Sequence, residues 1–202
     1  MTQPDPSRAD QRRAGRSRNR RDEILRVAFE MFAERGYRGT SLAAVADRAG
    51  LSQQGLLHYF PSKETLLLEV LRLYEEVDVG RLFAGAAAAS TSLDHLAELI
   101  EYNAGRPGIV RSLAVLTAES MTDDHPARSF FVERYAELRR GAARSLRAEL
   151  DGRSPRALTA EQASALLIAV MDGLQLQWLL QPDEVDMPAL FKAFLTLLRQ
   201  SS

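Results

Sequence analysis

Residues 40–63 read TSLAAVADRAGLSQQGLLHYFPSK. Two short helical patterns meet at Gly50. Thr40 is placed to cap a helix whose apolar set is Leu42, Val45, Ala46 and Ala49. Gly50 can take the positive φ that a tight turn demands. Ser52 then caps a second helix, Gln53 to Tyr59, with Leu56 and Tyr59 turned inward and Phe60 closing the end. Two short helices joined this way have the spacing of a helix-turn-helix, which an ordinary αα-hairpin in a bundle can share. The outward side chains separate the two uses. Gln53, Gln54, Leu57 and His58 fall at i, i+1, i+4 and i+5, on one face. A recognition helix reads the major groove mainly from its N-terminal part. Glutamine pairs bidentately with adenine, and an exposed leucine suits a thymine methyl.

Lys63 adds an independent signal. It follows the Ser62 cap at a helix N-terminus, where a cation opposes the helix dipole at a cost of roughly a few tenths of a kcal/mol. A phosphate at that point would be drawn by the lysine and by free backbone N–H groups together. Thr40 and Ser41 offer hydroxyls for the same purpose.

Upstream, Leu25, Ala28, Phe29 and Phe32 form a helical stripe that starts near Ser17 and stops at Gly36. Residues 1–16 have no apolar periodicity and read as a disordered basic arm. Downstream, Leu66, Leu67, Val70, Leu71 and Tyr74 mark a fourth helix. Further helical patterns run at 93–104, 108–121, 127–150, 160–180 and 187–199, with prolines near their ends. Leu174 to Trp178 alternates with period two but continues the pattern begun at Ala160. The expected fold is all-α with about nine helices. Its expected divisions are the arm at 1–16, a DNA-binding domain at 17–63, and a ligand-binding and dimerisation domain at 64–202.

The chain has 202 residues, 26 basic and 27 acidic side chains, and no cysteine. Absent cysteine removes disulfides, thiolate nucleophiles and cysteine-held metals. The net charge of −1 hides an asymmetry. Residues 1–63 carry twelve basic and seven acidic side chains, and the remainder carries fourteen and twenty. A basic module on an acidic body fits a nucleic-acid reader. The continuous apolar stretches are too short to span a bilayer, and the arginine-rich start lacks a secretory signal. The expected setting is cytoplasmic, with no membrane partner.

The stretch from Arg21 to Leu73, RDEILRVAFEMFAERGYRGTSLAAVADRAGLSQQGLLHYFPSKETLLLEVLRL, resembles the TetR (tetracycline-repressor) family of bacterial transcription regulators. The resemblance lies in AERGY, the following Thr, the Ala-Gly turn, Leu-Ser, the helix ending Tyr-Phe, and Ser-Lys-Glu. It implies a homodimer in which the first three helices bind a double-stranded DNA operator and the last two form an intersubunit bundle. It further implies a repressor released by a small-molecule effector, with no cofactor. By position, Gln53 and Gln54 resemble base-reading residues, and Thr40, Ser41, Tyr59 and Lys63 resemble phosphate contacts. Leu57 stands where the family usually carries tyrosine, and leucine cannot make that residue's hydrogen bond to the DNA backbone.

In the body, Tyr102, Asn103, Arg111, Glu119, Met121, Gln175 and Trp178 are candidates to line a pocket between helices. Leu166, Val170, Leu174 and Leu190, Phe191, Phe194, Leu198 form two broad apolar faces suited to a dimer seam or to internal core. His95 and His125, with Asp123 and Asp124, lack metal-ligand spacing, and Thr122–Pro126 reads as a surface loop. No nucleophile elbow or phosphate-binding glycine loop is present, so an enzyme is disfavoured. The competing classes are a helical ligand-binding protein or enzyme without DNA function and a non-specific architectural DNA protein.

Overall fold

The computed structural model describes residues 6–83, 93–149 and 158–200. Among these are nine helices and no strand. They are α1 (Pro6–Gly39), α2 (Leu42–Arg48), α3 (Gln53–Tyr59), α4 (Lys63–Phe83), α5 (Leu93–Ala104), α6 (Pro107–Glu119), α7 (Arg128–Glu149), α8 (Ala160–Leu180) and α9 (Met187–Gln200). Residues 1–5 of the expected arm lie outside the described residues. From Pro6 onward the chain is helical, which corrects the expectation of a disordered stretch to residue 16. Alanine, arginine and glutamine are strong helix formers, and proline is tolerated in a first turn. Periodicity marks only a helix that carries an apolar stripe, and residues 6–16 carry none, so this extension escapes it.

The chain divides into two compact units at Arg72/Leu73, not at residue 63 as the motif suggested. The first half of α4 explains the difference. Leu66, Leu67, Val70 and Leu71 are fully buried, and they belong to the first unit together with Ile24, Leu25, Ala28, Phe29, Phe32, Val45, Ala46, Leu56 and Phe60, all buried. Burying an aromatic such as Phe32 or Phe60 contributes about 1.5–3 kcal/mol. The short helices α2 and α3 offer little such area beside α1, so α4 completes the core.

In the second unit, α5 to α9 enclose a separate apolar cluster that includes Leu93, Ile100, Leu146, Leu167, Met187, Phe191 and Leu195. α8 opens with a reciprocal cap. Thr159 Oγ1 accepts from the Gln162 N–H at 3.2 Å, and Gln162 Oε1 accepts from the Thr159 N–H at 2.8 Å. Among the described residues α8 is long and apolar enough to cross a membrane by length and composition, which the short continuous runs did not suggest. Its apolar residues have another use: Ala163, Leu167, Ile168, Met171 and Trp178 are buried in the unit's core.

Two glycines hold positive φ, Gly36 at 69° and Gly50 at 65°. Gly36 breaks α1 ahead of its last turn, and Gly50 makes the turn between α2 and α3. A Cβ on Gly50 would come no closer than 3.9 Å to a neighbour, Arg20 Nη2, so the backbone alone requires glycine there. Gly50→Ala should lower the urea-unfolding free energy by about 1–2 kcal/mol, the usual left-handed cost for an L-residue. An unchanged midpoint would contradict that requirement.

Candidate functional site

The first unit presents α3 on a rigid turn. Ser41, not Thr40, caps α2: its Oγ accepts from the Ala44 N–H at 3.2 Å. Thr40 is 2% exposed. Its hydroxyl points inward, 2.8 Å from the Gly36 carbonyl and 3.1 Å from that of Met31. The expected phosphate role of Thr40 is therefore corrected: its hydroxyl satisfies carbonyls at the end of α1, while Ser41 is exposed. Ser52 caps α3, accepting from the Gly55 N–H at 3.1 Å. Gln53, Gln54 and His58 are exposed, Leu57 and Tyr59 are half-buried, and Leu56 is buried. Leu57 thus offers less surface than its position on the outward face suggested.

Several cations of this unit are engaged inside it. Lys63 Nζ donates to the carbonyls of Tyr37 and Thr40, both at 2.9 Å, and lies 4.2 Å from the Tyr37 ring centroid. The dipole cost at its helix N-terminus is offset by carbonyls of the α1–α2 turn. Besides its expected phosphate role, Lys63 therefore joins that turn to α4, which sequence reasoning did not foresee. Arg20 was missed as a site residue. Its Nη2 donates to the carbonyls of Ala49 at 2.7 Å and Gly50 at 3.3 Å, and Nη1 reaches Glu23 at 2.6 Å. Arg21 pairs with Glu69 at 2.5 Å and lies over the Phe60 ring at 5.1 Å. Arg48 pairs with Glu34 at 2.8 Å and holds that carboxyl below its ordinary range. The missed signal is the set of carbonyls that each helix end leaves without an intrahelical partner.

The second unit holds a cavity of about 560 Å³, within the size range of small-molecule sites. Of the expected liners, Asn103, Met121 and Gln175 border it. Tyr102, Arg111, Glu119 and Trp178 do not: Trp178 is buried in the core cluster, Tyr102 lies under the Arg106 guanidinium at 4.3 Å, and Arg111 is exposed. Helical periodicity identifies a face but not which faces leave a gap. The polar liners missed from sequence include Glu75, Arg134, Tyr135 and Asp172. Tyr135 Oη donates to Asp172 Oδ2 at 2.8 Å, and Arg134 pairs with Glu75 at 3.5 Å. Burial pushes the Tyr135 hydroxyl up, and Asp172 adds to that. Burial also raises Asp172, opposed by the Tyr135 hydrogen bond and Arg134.

The expected dimer faces divide. Leu166 is 51% exposed and Leu190 46%, while Val170 is half-buried. Leu174, Phe194 and Leu198 are partly buried against the unit's own core, and Phe191 lies fully inside it. Phe191 is thereby corrected from seam to core. Leu176, Leu180 and Leu197, outside the expected set, are also exposed. Among the described residues no group of three or more His, Cys, Asp or Glu is placed to hold a metal. Thr122, Asp123 and Asp124 are exposed in the loop, but the His125 side chain is buried, and its Nδ1 accepts from the Ala127 N–H at 3.2 Å.

Lys63→Met keeps the apolar stem but removes the ammonium. Unfolding free energy should fall by about 1.5–3 kcal/mol, the range for hydrogen bonds to charged groups. Weaker DNA binding with unchanged stability would contradict the clamp.

Residues 24–70 match the family described as bacterial regulatory proteins, tetR family, and residues 83–200 match the C-terminal part of the BetI-type transcriptional repressors. The chain is 40% identical over 81 residues to the transcriptional repressor KstR2 of Mycolicibacterium smegmatis, covering 40% of each chain. It is 49% identical over 49 residues to the transcriptional regulator RutR of Escherichia coli, covering 24% of this chain and 23% of that relative. The matched segments thus span two fifths or less of these relatives' lengths. A TetR-family regulator from Agrobacterium tumefaciens superposes with a TM-score of 0.74 at 21% identity, covering 90% of this chain and 98% of that one. A transcriptional regulator from Saccharomonospora viridis, solved with choline, gives 0.73 at 23% identity, covering 87% and 95%. These likenesses carry the fold, and the two family matches together cover most of the chain. The chain belongs to the tetR family of bacterial regulatory proteins.

Proposed function

We propose that the chain is a homodimeric transcriptional repressor, working in the bacterial cytoplasm. It reads a palindromic double-stranded DNA operator with α3 and is released by a small-molecule effector. The observation that carries this reading is the exposed pair Gln53–Gln54 at the start of a helix fixed by Gly50, Arg20 and Lys63. Ser41, His58 and Tyr59 flank the pair and would contact DNA beside it, with Leu57 making a smaller apolar contact. The naming of relatives such as KstR2 as repressors supports the sign of regulation. The cavity, and the choline complex of the Saccharomonospora neighbour, support an effector. The effector can shift the equilibrium only by its differential affinity for the DNA-competent and released states.

The dimer reading rests on an exposed apolar strip. Leu166, Leu180, Leu190 and Leu197 are exposed on α8 and α9. On α8, a Cβ at Gly173 would meet nothing within 4 Å, so a second helix can approach closely there. α4 supplies Leu66 to Leu71 to the first unit and Glu75 to the cavity lining, which makes it the element through which an effector would act.

A gel shift against the duplex upstream of its own gene tests the reading. Retardation at low salt is expected, and no binding to any duplex would leave a helical ligand-binding protein without DNA function. Gln53→Ala should cost about 1–3 kcal/mol on the best operator and relax one base position per half-site. Equal weakening on every sequence would reject base reading by Gln53. Leu166→Glu should move the protein from dimer to monomer in sedimentation without loss of helicity, because the side chain is exposed within the chain. A monomeric wild type would overturn the dimer.

A further inference from the structure

The cavity of the second unit is chemically lopsided. Its walls are largely apolar and include Leu96, Leu99, Val110, Phe131 and Met171. Among its polar liners, three helices contribute two linked pairs, with Glu75 from α4, Arg134 and Tyr135 from α7, and Asp172 from α8. Glu75 and Arg134 pair at 3.5 Å, so their charges largely cancel. Asp172 is half-buried, and its hydrogen-bond donor among the described residues is Tyr135, at 2.8 Å. A phenol donates a single proton, whereas a carboxylate offers about four acceptor positions. The second oxygen of Asp172 keeps acceptor capacity at the cavity wall, and the four polar groups together carry one net negative charge.

A half-buried carboxylate with one donor is under-solvated, in keeping with its raised pKa. An anionic headgroup placed here would meet Asp172 and Glu75. An alcohol would supply one hydrogen bond but no charge. A quaternary ammonium would supply charge but no N–H, and only two aromatic rings, Phe131 and Tyr135, border the cavity to hold it. Arg140 and Arg144 also border the cavity but are exposed, and Arg140 has Glu137 at 3.7 Å, so solvent screens their attraction for an anion.

Resting on the reading of this cavity as the effector site, we propose that its ligand is an amphipathic amine. The protonated N–H group donates to Asp172, and the apolar body lies against the Leu96, Val110 and Met171 walls.

The test is isothermal titration of the full-length protein with four probes of equal chain length: octylamine, octanoate, 1-octanol and octyltrimethylammonium. Octylamine should bind at least about tenfold more tightly than each of the others, the gain from a charge-assisted hydrogen bond in a desolvated site. Asp172→Asn should remove that margin, leaving 1-octanol within about threefold of its wild-type affinity. Tyr135→Phe should keep the amine preference, because the carboxylate remains. Tighter octanoate binding, equal binding of the quaternary ion, no octylamine binding, or an unaltered margin in Asp172→Asn would each overturn the proposal. The wild-type comparison stands even if a variant misfolds. Operator release measured in parallel separates the two readings. Octylamine that binds at the expected margin without releasing DNA supports the amine assignment and rejects the effector role. Release by a non-amine, with no octylamine binding, rejects the amine and keeps the effector role.

Discussion

A helix end leaves backbone carbonyls that must find donors, and in the first unit these donors include side-chain cations. α2 and α3 have seven residues each, so a large share of their backbone polar groups lies at ends. Arg20 reaches across to the carbonyls of Ala49 and Gly50, and Lys63 to those of Tyr37 and Thr40. Thr40 adds its hydroxyl to the end of α1. Around Gly50 these bonds hold two marginal helices in one geometry. Without them the glutamines of α3 would sit on a peptide too short to be helical alone. A site meant to read base edges needs this pre-organisation.

Some of the module's positive charge is therefore used in building it. Arg20, Arg21, Arg48 and Lys63 all have carbonyl or carboxylate partners within the first unit. The count of basic residues overstates what remains for phosphates. The second unit follows a different rule. Its helices pack a continuous apolar cluster yet leave a cavity whose charged groups come from α4, α7 and α8. A ligand bound there would depend on a few polar groups in an apolar enclosure, where each hydrogen bond and charge is expensive to leave unmet.

The fold was legible because helices with a buried face repeat their apolar residues. The stripe Leu25, Ala28, Phe29, Phe32 is buried throughout, and α3 runs from Gln53 to Tyr59 as its cap and closing Phe60 predicted. Where a helical stretch carries no apolar repeat, as residues 6–16 do not, periodicity is silent. The candidate site was legible only in part. Exposure of Gln53, Gln54 and His58 follows from helical phase alone. The inward turn of Thr40 and the clamp by Lys63 do not, because they depend on where the end of α1 lies in space. The cavity was least legible. Asn103 borders it and Trp178 does not, although both sit on suitable faces, since a void is set by the mutual spacing of several helices. Phe191 went to the core for the same reason.

The central claim is that α3 reads sequence in a symmetric pair. Selection from a random duplex library by the purified protein tests it most directly. Enrichment of a near-palindrome is expected, with half-site centres one helical turn, about 34–36 Å, or a multiple of it apart. Binding without any enriched sequence, or enrichment of a single asymmetric site, would contradict it.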